Sequence, residues 1–323
     1  MPLLLTEADV RAILTMPLAL EAVETSFRQL GDGAAVSHSR RRLIIPGKTI
    51  LNYMAASDAT GGYLGLKIYS IARGAARFVV PLFRAETGEL AALIEADYLG
   101  QMRTGAASGV AARVMAREDA RTVGIIGTGL QARTQLEAVA LARKLEGIRA
   151  FGRDVERREK FAKEMTEGLG IPVMPAPSAE EAVRGADIVI TSTTSKTPVV
   201  EGRWIEPGTH ISAIGSNFAE KREIDTEAVR RCDVIAADSI EQSKIESGDL
   251  IQAFAGDESR WSTVREFADI VAGKAPGRAS RDQVTLFKSN GIAIEDIVTA
   301  GRIYELARQR GIGRDIPMWQ GGA

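Results

Sequence analysis

The apolar and polar positions change rhythm part-way along the chain. Before residue 96, short apolar-rich runs alternate with glycine or polar turns, which is typical of an antiparallel sheet. These runs are 42–45, 50–54, 63–70, 78–83 and 90–94. Two helices are predicted ahead of them, between residues 6 and 30, where Thr6 and Asp9 have the spacing of an N-cap with an acidic third position.

Beyond residue 120 the pattern becomes one of strands alternating with helices. A helix rich in small residues is predicted over 103–117, and a last helix, apolar on one side, over 292–310. Strands are predicted from about Thr122 and at 148–151, 187–191, 210–214, 233–237 and 283–288, with helices at 155–168 and from Ser178. This βαβ rhythm indicates a doubly wound parallel sheet.

The first of these strands, Val123–Ile126, runs into glycines and then into a helical pattern. Gly127 lets the strand turn sharply, and Gly129 lets the backbone approach a pyrophosphate. Ala132 takes the place where a small residue permits close helix–strand packing, and the free N–H groups of the helix point at the anion. We therefore predict a dinucleotide site rather than a plain glycine-rich turn, formed by Gly127, Thr128, Gly129, Leu130 and Gln131.

The fold predicted from these patterns is α/β, with a Rossmann doubly wound parallel sheet and an α+β domain built on an antiparallel sheet. We place the α+β domain at residues 1–117 and 300–323, and the Rossmann domain at residues 118–299. The last helix would pack back on the α+β domain.

Cofactor choice depends on the end of the second strand of the Rossmann domain. An acidic residue there bonds the ribose 2′-hydroxyl of NAD, but this chain has Gly152 followed by Arg153, which could meet a 2′-phosphate. We expect NADP(H) to be preferred, with NAD(H) possible, since a register shift of two residues would make Asp154 the acidic residue.

Polar residues after other strands complete the predicted cofactor site, because ligands bind at the carboxyl ends of parallel strands. Their hydroxyl and amide groups suit ribose and nicotinamide contacts, although such residues also form turns. They are Thr191, Ser192, Thr193, Ser216, Ser289 and Asn290.

Composition excludes several classes of protein. The 323 residues are 45% hydrophobic, enough for two cores, and the net charge of −1 leaves no basic face for nucleic acid or a membrane surface. The single cysteine, Cys232, is interpreted as a buried strand residue and excludes an intramolecular disulfide. His38 and His210 lack partners at metal-ligand spacing, so we expect no metal site and no Ser-His-Asp triad.

We expect a cytoplasmic protein that acts on a small molecule. The first ten residues carry Glu7 and Asp9 without a basic lead, and no run of 18 apolar residues occurs.

Besides the glycine turn, four further motifs follow one another along the chain: Arg42–Pro46, Gly65–Lys67, Met102–Ser108 and Phe287–Asp296. As an ordered set they resemble the ornithine cyclodeaminase/mu-crystallin family, which includes archaeal alanine dehydrogenases and reductases of cyclic ketimine acids. The resemblance runs from about residue 6 to about residue 318.

The resemblance implies a nicotinamide cofactor and a first domain that contains the substrate pocket and the interface of a homodimer. It assigns substrate binding and proton transfer to Lys67. Substrates of the family are amino or imino acids, and Arg42 and Arg103 supply the planar cations that suit a carboxylate. Beside two arginines, the pKa of Lys67 would be lowered. Thr104 would bond the nicotinamide phosphate through the N-terminus of its helix.

The chain departs from the family pattern at two places. Asn217 stands where cyclodeaminases and archaeal alanine dehydrogenases have an aspartate, and an amide cannot accept a proton at neutral pH. The stretch from Arg73 to Arg77 is shortened where many relatives carry a Thr-His pair. The first departure weighs against ammonia loss with ring closure, and the second leaves the substrate end of the pocket unassigned.

The function predicted from the sequence is NAD(P)H-dependent reduction of a small imino acid to the L-amino acid. The substrate would be a cyclic ketimine carboxylate such as pyrroline-2-carboxylate, or the imine of pyruvate. Lys67 and Asn217 are the predicted catalytic residues, and Arg42, Lys67 and Arg103 the predicted substrate-binding residues. The alternatives are cyclodeamination of ornithine or lysine with recycled NAD and, from another class, a binding protein without catalysis.

Overall fold

The computed structural model describes residues 1–72 and 74–318, and the chain divides into two compact units. The first unit comprises Met1–Arg103 and Ile292–Ala323, of which residues 319–323 lie outside the described part. The second unit is Thr104–Gly291. The predicted boundaries, after residues 117 and 299, come later along the chain. A division after residue 299 would cut the helix Ala293–Arg310, which packs as one piece in the first unit.

The first unit is built on a mainly antiparallel sheet. Its order is final strand, β1, β7, β6, β5, β4, β2, with β3 paired to β4; β1 and β7 run parallel. The strands are β1 (Leu3–Leu5), β2 (Ala35–Ser37), β3 (Arg41–Ile45), β4 (Thr49–Asp58), β5 (Tyr63–Ala72), β6 (Ala75–Arg84), β7 (Leu90–Glu95) and the final strand (Arg314–Asp315).

Helices cover this sheet. They are α1 (Glu7–Ile13), α2 (Met16–Gly31) and the final helix (Ala293–Arg310), which packs on α2, β4 and β5. The N-cap predicted at Thr6, with Asp9 as its acidic third residue, is confirmed, since the Thr6 hydroxyl accepts from the backbone N–H of Asp9. A further helix, α3 (Asp97–Met115), begins in this unit and continues into the second.

The second unit contains a parallel sheet in the order β10, β9, β8, β11, β12, β15, β13, β14. Its strands are β8 (Thr122–Ile126), β9 (Gly147–Phe151), β10 (Val173–Pro175), β11 (Ile188–Thr191), β12 (His210–Ala213), β13 (Val234–Ala237), β14 (Val264–Glu266) and β15 (Thr285–Lys288). The doubly wound fold predicted from the sequence is confirmed, and the whole chain is a mixed α/β protein.

The helices of the second unit connect these strands. They are α4 (Leu130–Ala142), α5 (Val155–Leu169), α6 (Ala179–Val183), α7 (Thr226–Arg230), α8 (Ile240–Glu246), α9 (Gly248–Ala253) and α10 (Phe267–Val271), with 3₁₀ turns at Gly202–Trp204 and Glu258–Thr263. The central strands are apolar on both faces: Ile188 and Ile190 join one core cluster, and Val189 joins the other. A strand buried on both faces reads as a continuous apolar run, as these do. No helix among the described residues is long and apolar enough to cross a membrane.

Candidate active site

Lys67 lies in the middle of β5, on the sheet face that packs under helices. Its side chain is buried, with 2% of the residue exposed. Alternation along the strand puts Gly65, Lys67 and Tyr69 on the buried face, while Leu64 and Ser70 are exposed. A Cβ at Gly100 of α3 would lie 3.4 Å from the Lys67 amine, so this glycine lets the helix approach the lysine.

Two carboxylates from the final helix meet Lys67 and Arg103. The Asp296 Oδ1 atom lies 2.7 Å from Lys67 Nζ and 3.2 Å from Arg103 Nε. The Glu295 carboxylate lies 2.9 Å from Arg103 Nη1. Both acids are fully buried, so the four side chains form a buried ionic cluster within the first unit. Lys67 and Arg103, predicted as substrate ligands, are thus brought together by Asp296.

Glu295 and Asp296 were not among the site residues predicted from the sequence. A signal was present, because the pair interrupts an otherwise apolar run, Ile292–Ile297, at the start of a predicted helix. Acidic residues are common in the first turn of a helix, where they favour the dipole. Their burial distinguishes these two, since fully buried carboxylates are rare unless paired.

The pKa of Lys67 is lowered from 10.5 to about 8. Burial is the main cause, because it disfavours the charged amine, and the positive charge of Arg103 adds to it. Asp296 opposes the shift through its charge and hydrogen bond. The predicted direction was correct, but burial contributes more than neighbouring arginines. The other oxygen of Asp296, Oδ2, is buried with no hydrogen-bond partner among the described residues.

Arg42 stands on the same sheet face as Lys67. It pairs across β3 and β4 with Asn52, and its Nε atom lies 3.2 Å from the Asn52 Oδ1 atom. Asn52 is in turn opposite Tyr69, two residues along β5 from Lys67. Cross-strand partners share a face, so Arg42 is presented to the side of the sheet that carries the cluster.

Aromatic rings line the sheet between these cations. Tyr69 stacks on Phe78 of β6 with ring centres 4.6 Å apart, and the Lys67 amine lies 5.3 Å from the centre of the Phe78 ring. Cations lie favourably over aromatic faces. The first unit therefore presents charged groups suited to a carboxylate beside a flat apolar surface.

The glycine turn of the second unit has the form that a dinucleotide requires. Gly127 has φ +112°, and a Cβ there would lie 2.2 Å from the carbonyl oxygen of Ser192. Both the backbone conformation and the lack of space therefore exclude a side chain at this residue. Gly129 is the N-cap of α4, has no side-chain cap, and would place a Cβ in open space. The exposed Gly129 and Leu130 leave the helix N-terminus accessible, which fits a pyrophosphate.

The residues that follow β9 bear on the choice between NADP(H) and NAD(H). A Cβ at Gly152 would lie 2.6 Å from the Thr128 hydroxyl, so an acidic side chain does not fit there without movement of Thr128. Arg153 is exposed. Asp154 caps α5 by accepting from the backbone N–H of Arg157, which gives it a structural role.

The remaining predicted cofactor residues lie after β11, β12 and β15. Ser192 and Thr193 are half-buried, and Ser216 and Ser289 are buried. The hydroxyl of Ser289 donates to Asp238, which also accepts from two backbone N–H groups of the same loop. Asn217 follows Ser216 in the loop after β12, in the second unit.

Two predictions about local structure were wrong. The helix predicted over 103–117 begins at Asp97, so Thr104 lies two turns inside it and cannot use its N-terminus for a phosphate. That terminus is capped instead by Glu7, whose carboxylate accepts from the backbone N–H of Asp97 at 2.6 Å. Cys232 lies in the loop before β13 rather than in the strand.

Nothing in the described part of the chain forms a metal site. No group of three or more His, Cys, Asp or Glu residues there could hold an ion. His210 is buried between the hydroxyls of Thr285 and Ser212, and burial lowers its pKa to about 3, so it is neutral and structural. The shortened stretch begins at Arg73, which lies outside the described residues.

Comparisons with known proteins, by sequence and by structure, find the same kinds of relative. The model of the ornithine cyclodeaminase/mu-crystallin family matches residues 1–311. An alanine dehydrogenase of Archaeoglobus fulgidus is 34% identical over 98% of this chain and 99% of that protein.

Solved structures match over nearly the whole chain. Thermococcus litoralis Δ1-pyrroline-2-carboxylate reductase in complex with NADH and L-proline has a TM-score of 0.93 and 37% identity, covering 97% of this chain and 100% of that one. An archaeal alanine dehydrogenase dimer with bound NAD has a TM-score of 0.92 and 32% identity, covering 98% and 99%.

Proposed function

The chain belongs to the ornithine cyclodeaminase/mu-crystallin family, and we propose that it is a nicotinamide-dependent reductase that converts a small imino acid to the L-amino acid. The substrate class is a 2-imino carboxylate, either cyclic, as in pyrroline-2-carboxylate, or formed from pyruvate and ammonia. Relatives named for both activities, a pyrroline-2-carboxylate reductase and an alanine dehydrogenase, are similar over nearly the whole chain.

The observation that carries the proposal is the buried cluster of Lys67, Arg103 and Asp296. A buried lysine with a pKa of about 8 holds a proton at neutral pH and releases it readily, which suits a general acid.

The two arginines would bind the substrate carboxylate. Arg103 is held by Glu295 and Asp296, so its guanidinium is oriented before any ligand arrives. Arg42 is oriented by Asn52 on the same sheet face. A guanidinium presents donors in a planar fork that matches a carboxylate.

Lys67 would supply the proton of the reaction. A bound nicotinamide supplies a hydride to the imine carbon when it is present. The imine nitrogen gains one proton, and Lys67 Nζ is the acid that delivers it, with Asp296 Oδ1 holding the amine in place at 2.7 Å. Lys67 would then recover a proton from solvent.

We propose NADP(H) as the preferred cofactor, with NAD(H) accepted. The exposed Arg153 supports this preference, as does the lack of space for an acidic side chain at Gly152. NADH and NAD are the cofactors named for the two solved relatives, so the choice is a property to be measured on this chain.

We also propose a homodimer. The archaeal alanine dehydrogenase is described as a dimer. In this chain, consecutive apolar residues of β3 are exposed: Leu43 by 59%, Ile44 by 60% and Ile45 by 55%. Such a strand is typical of a surface covered by another chain.

The test is a substrate panel. Pyrroline-2-carboxylate, piperideine-2-carboxylate, and pyruvate with ammonia are each offered with NADH and with NADPH. We expect oxidation of the cofactor with at least one imino acid. Ornithine is offered separately with NAD. Ammonia release from it without a net change in the cofactor would favour the cyclodeaminase, and then Asn217 would not discriminate between the two reactions.

A further inference from the structure

Three charged side chains are fully buried at the carboxyl end of the parallel sheet, away from the Lys67 cluster in sequence and in a different unit. They are Glu223, Asp249 and Lys288, each with 0% of the residue exposed. The proposed reaction assigns no role to them. Burying charges is costly unless every one is paired.

Glu223 joins the loops that follow two neighbouring strands. It accepts from the hydroxyl of Thr191, the last residue of β11, at 2.8 Å and from the backbone N–H of Thr193, in the loop that follows, at 2.6 Å. It also accepts from the Gly215 backbone N–H, after β12, at 2.6 Å. One carboxylate therefore fixes the separation of the two loops.

Gly215 shows how close these loops are. A Cβ at this residue would lie 2.4 Å from Glu223 Oε1 and 2.4 Å from the Thr193 backbone nitrogen. Only glycine leaves room for the contact. The loops that carry Ser192, Thr193, Ser216 and Asn217 are thus in direct contact through Glu223.

Asp249 and Lys288 extend the connection to a third strand, β15. Asp249 accepts from the Glu223 and Ile224 backbone N–H groups at 2.6 and 3.0 Å. Lys288, the last residue of β15, lies 3.0 Å from Asp249 and donates to the Ser216 carbonyl oxygen at 2.8 Å. The ends of β11, β12 and β15 are therefore held by one buried network.

The donors around Glu223 favour its ionised form, because two backbone N–H groups and the Thr191 hydroxyl lie against its two oxygens. The pKa of Glu223 is nevertheless raised, mainly by burial and then by the charge of Asp249, while Lys288 and the hydrogen bonds from Thr193 and Thr191 lower it in part. An amide of the same shape would place its NH₂ group against at least one of these donors.

We propose that Glu223 is a positioning residue for the nicotinamide half of the dinucleotide. This inference rests on the dinucleotide site of the proposed function. In a doubly wound sheet the adenosine ribose lies beyond the second strand, here β9, on one side of β8. The strands that the network joins lie on the other side of β8. Glu223 touches no ligand and acts through the loops that do.

The test separates the two halves of the cofactor. Binding of NADH and of ADP, which lacks the nicotinamide half, is measured by calorimetry on the parent protein and on Glu223→Gln. We expect the dissociation constant for NADH to rise about tenfold or more, as for loss of a buried hydrogen bond to a charge. The constant for ADP should change by less than about twofold.

Two further variants complete the design. Thr191→Val removes one donor to Glu223 while keeping a buried side chain of similar shape, and should weaken NADH selectively by a smaller factor, even if Glu223→Gln does not fold. Glu220→Gln removes an exposed carboxylate from the same segment and should change neither constant.

Two outcomes would refute the role proposed for Glu223. Equal weakening of NADH and ADP, or unchanged NADH binding in both network variants, would overturn the inference and leave the proposed reductase intact. If the parent protein bound none of NADH, NADPH and ADP, the dinucleotide site itself would be refuted, and the inference with it.

Discussion

Lys67 and Asp296 depend on each other at the scale of single residues. A buried ammonium is unfavourable, and the adjacent carboxylate offsets part of that cost, so the lysine keeps a pKa near 8 instead of falling further. Arg103 pulls the pKa of Lys67 in the opposite direction, because it adds a second positive charge to the same carboxylate. This balance yields two predictions about pH.

Activity should fall at high pH as Lys67 loses its proton. Because the pKa of the amine is about 8, kcat/KM for imine reduction should be level below pH 8 and decrease about tenfold per pH unit above it.

Lys67→Ala should lower the rate by about 10²- to 10⁴-fold with NADH binding intact. Imine reduction at the parental rate in Lys67→Ala would remove the lysine from the mechanism.

Asp296→Asn should move that alkaline limb to lower pH. The carboxylate raises the pKa of Lys67, so its neutral amide leaves burial and Arg103 unopposed, and the lysine deprotonates earlier. The pH profile of kcat/KM measures the shift, with the exposed Asp315→Asn as control. A limb that stays near pH 8, or moves higher, would show that Asp296 does not set the protonation of Lys67.

At the scale of elements, six of the eight strands of the parallel sheet follow from the sequence because each is an apolar run bounded by turns, whereas the short strands β10 and β14 were not predicted. The predicted strand at 187–191 is observed as β11, Ile188–Thr191. The start of α3 was missed for a physical reason. Its N-terminus is capped by Glu7, a residue ninety positions away, so no local capping signal marks Asp97.

The two glycines of the β8–α4 turn should respond differently to substitution. Gly127→Ala should lower the free energy of unfolding by about 2 kcal/mol or more, since it combines a strained φ with a backbone clash. Gly129→Ser should leave stability unchanged or slightly higher, because serine is a favourable N-cap and its Cβ meets nothing.

The same serine would occupy the space where the backbone is expected to approach the pyrophosphate, so NADH should bind Gly129→Ser at least about tenfold more weakly. Urea unfolding and NADH titration of both variants measure the contrast. Full NADH affinity in Gly129→Ser would place the pyrophosphate elsewhere.

At the scale of the whole molecule, each unit carries one set of functional groups. The sequence predicts roles for Lys67, Arg103 and the glycine turn, because motifs and local patterns carry them. It could not identify Asp296 as the partner of Lys67, since the two are 229 positions apart in the chain and only the packing of the final helix on β5 joins them. The Glu223 network could not be predicted for the same reason, because residues far apart in the chain form it.

A substitution in the second unit tests the proposed role of Arg153 in cofactor preference. If Arg153 meets a 2′-phosphate, Arg153→Ala should raise the KM for NADPH by about tenfold or more and leave the KM for NADH within about twofold. Arg157→Ala, an exposed arginine of the adjacent helix, is the matched control. Equal effects of Arg153→Ala on both cofactors would refute the assignment.

The most direct test of the central claim follows two products in one reaction. Cofactor absorbance and free ammonia are measured together, once with pyrroline-2-carboxylate and reduced cofactor, and once with ornithine and oxidised cofactor. A reductase should oxidise one cofactor for each imino acid consumed and release no ammonia from ornithine. Ammonia released from ornithine with no net change in the cofactor, and no reduction of the imino acid, would contradict the account.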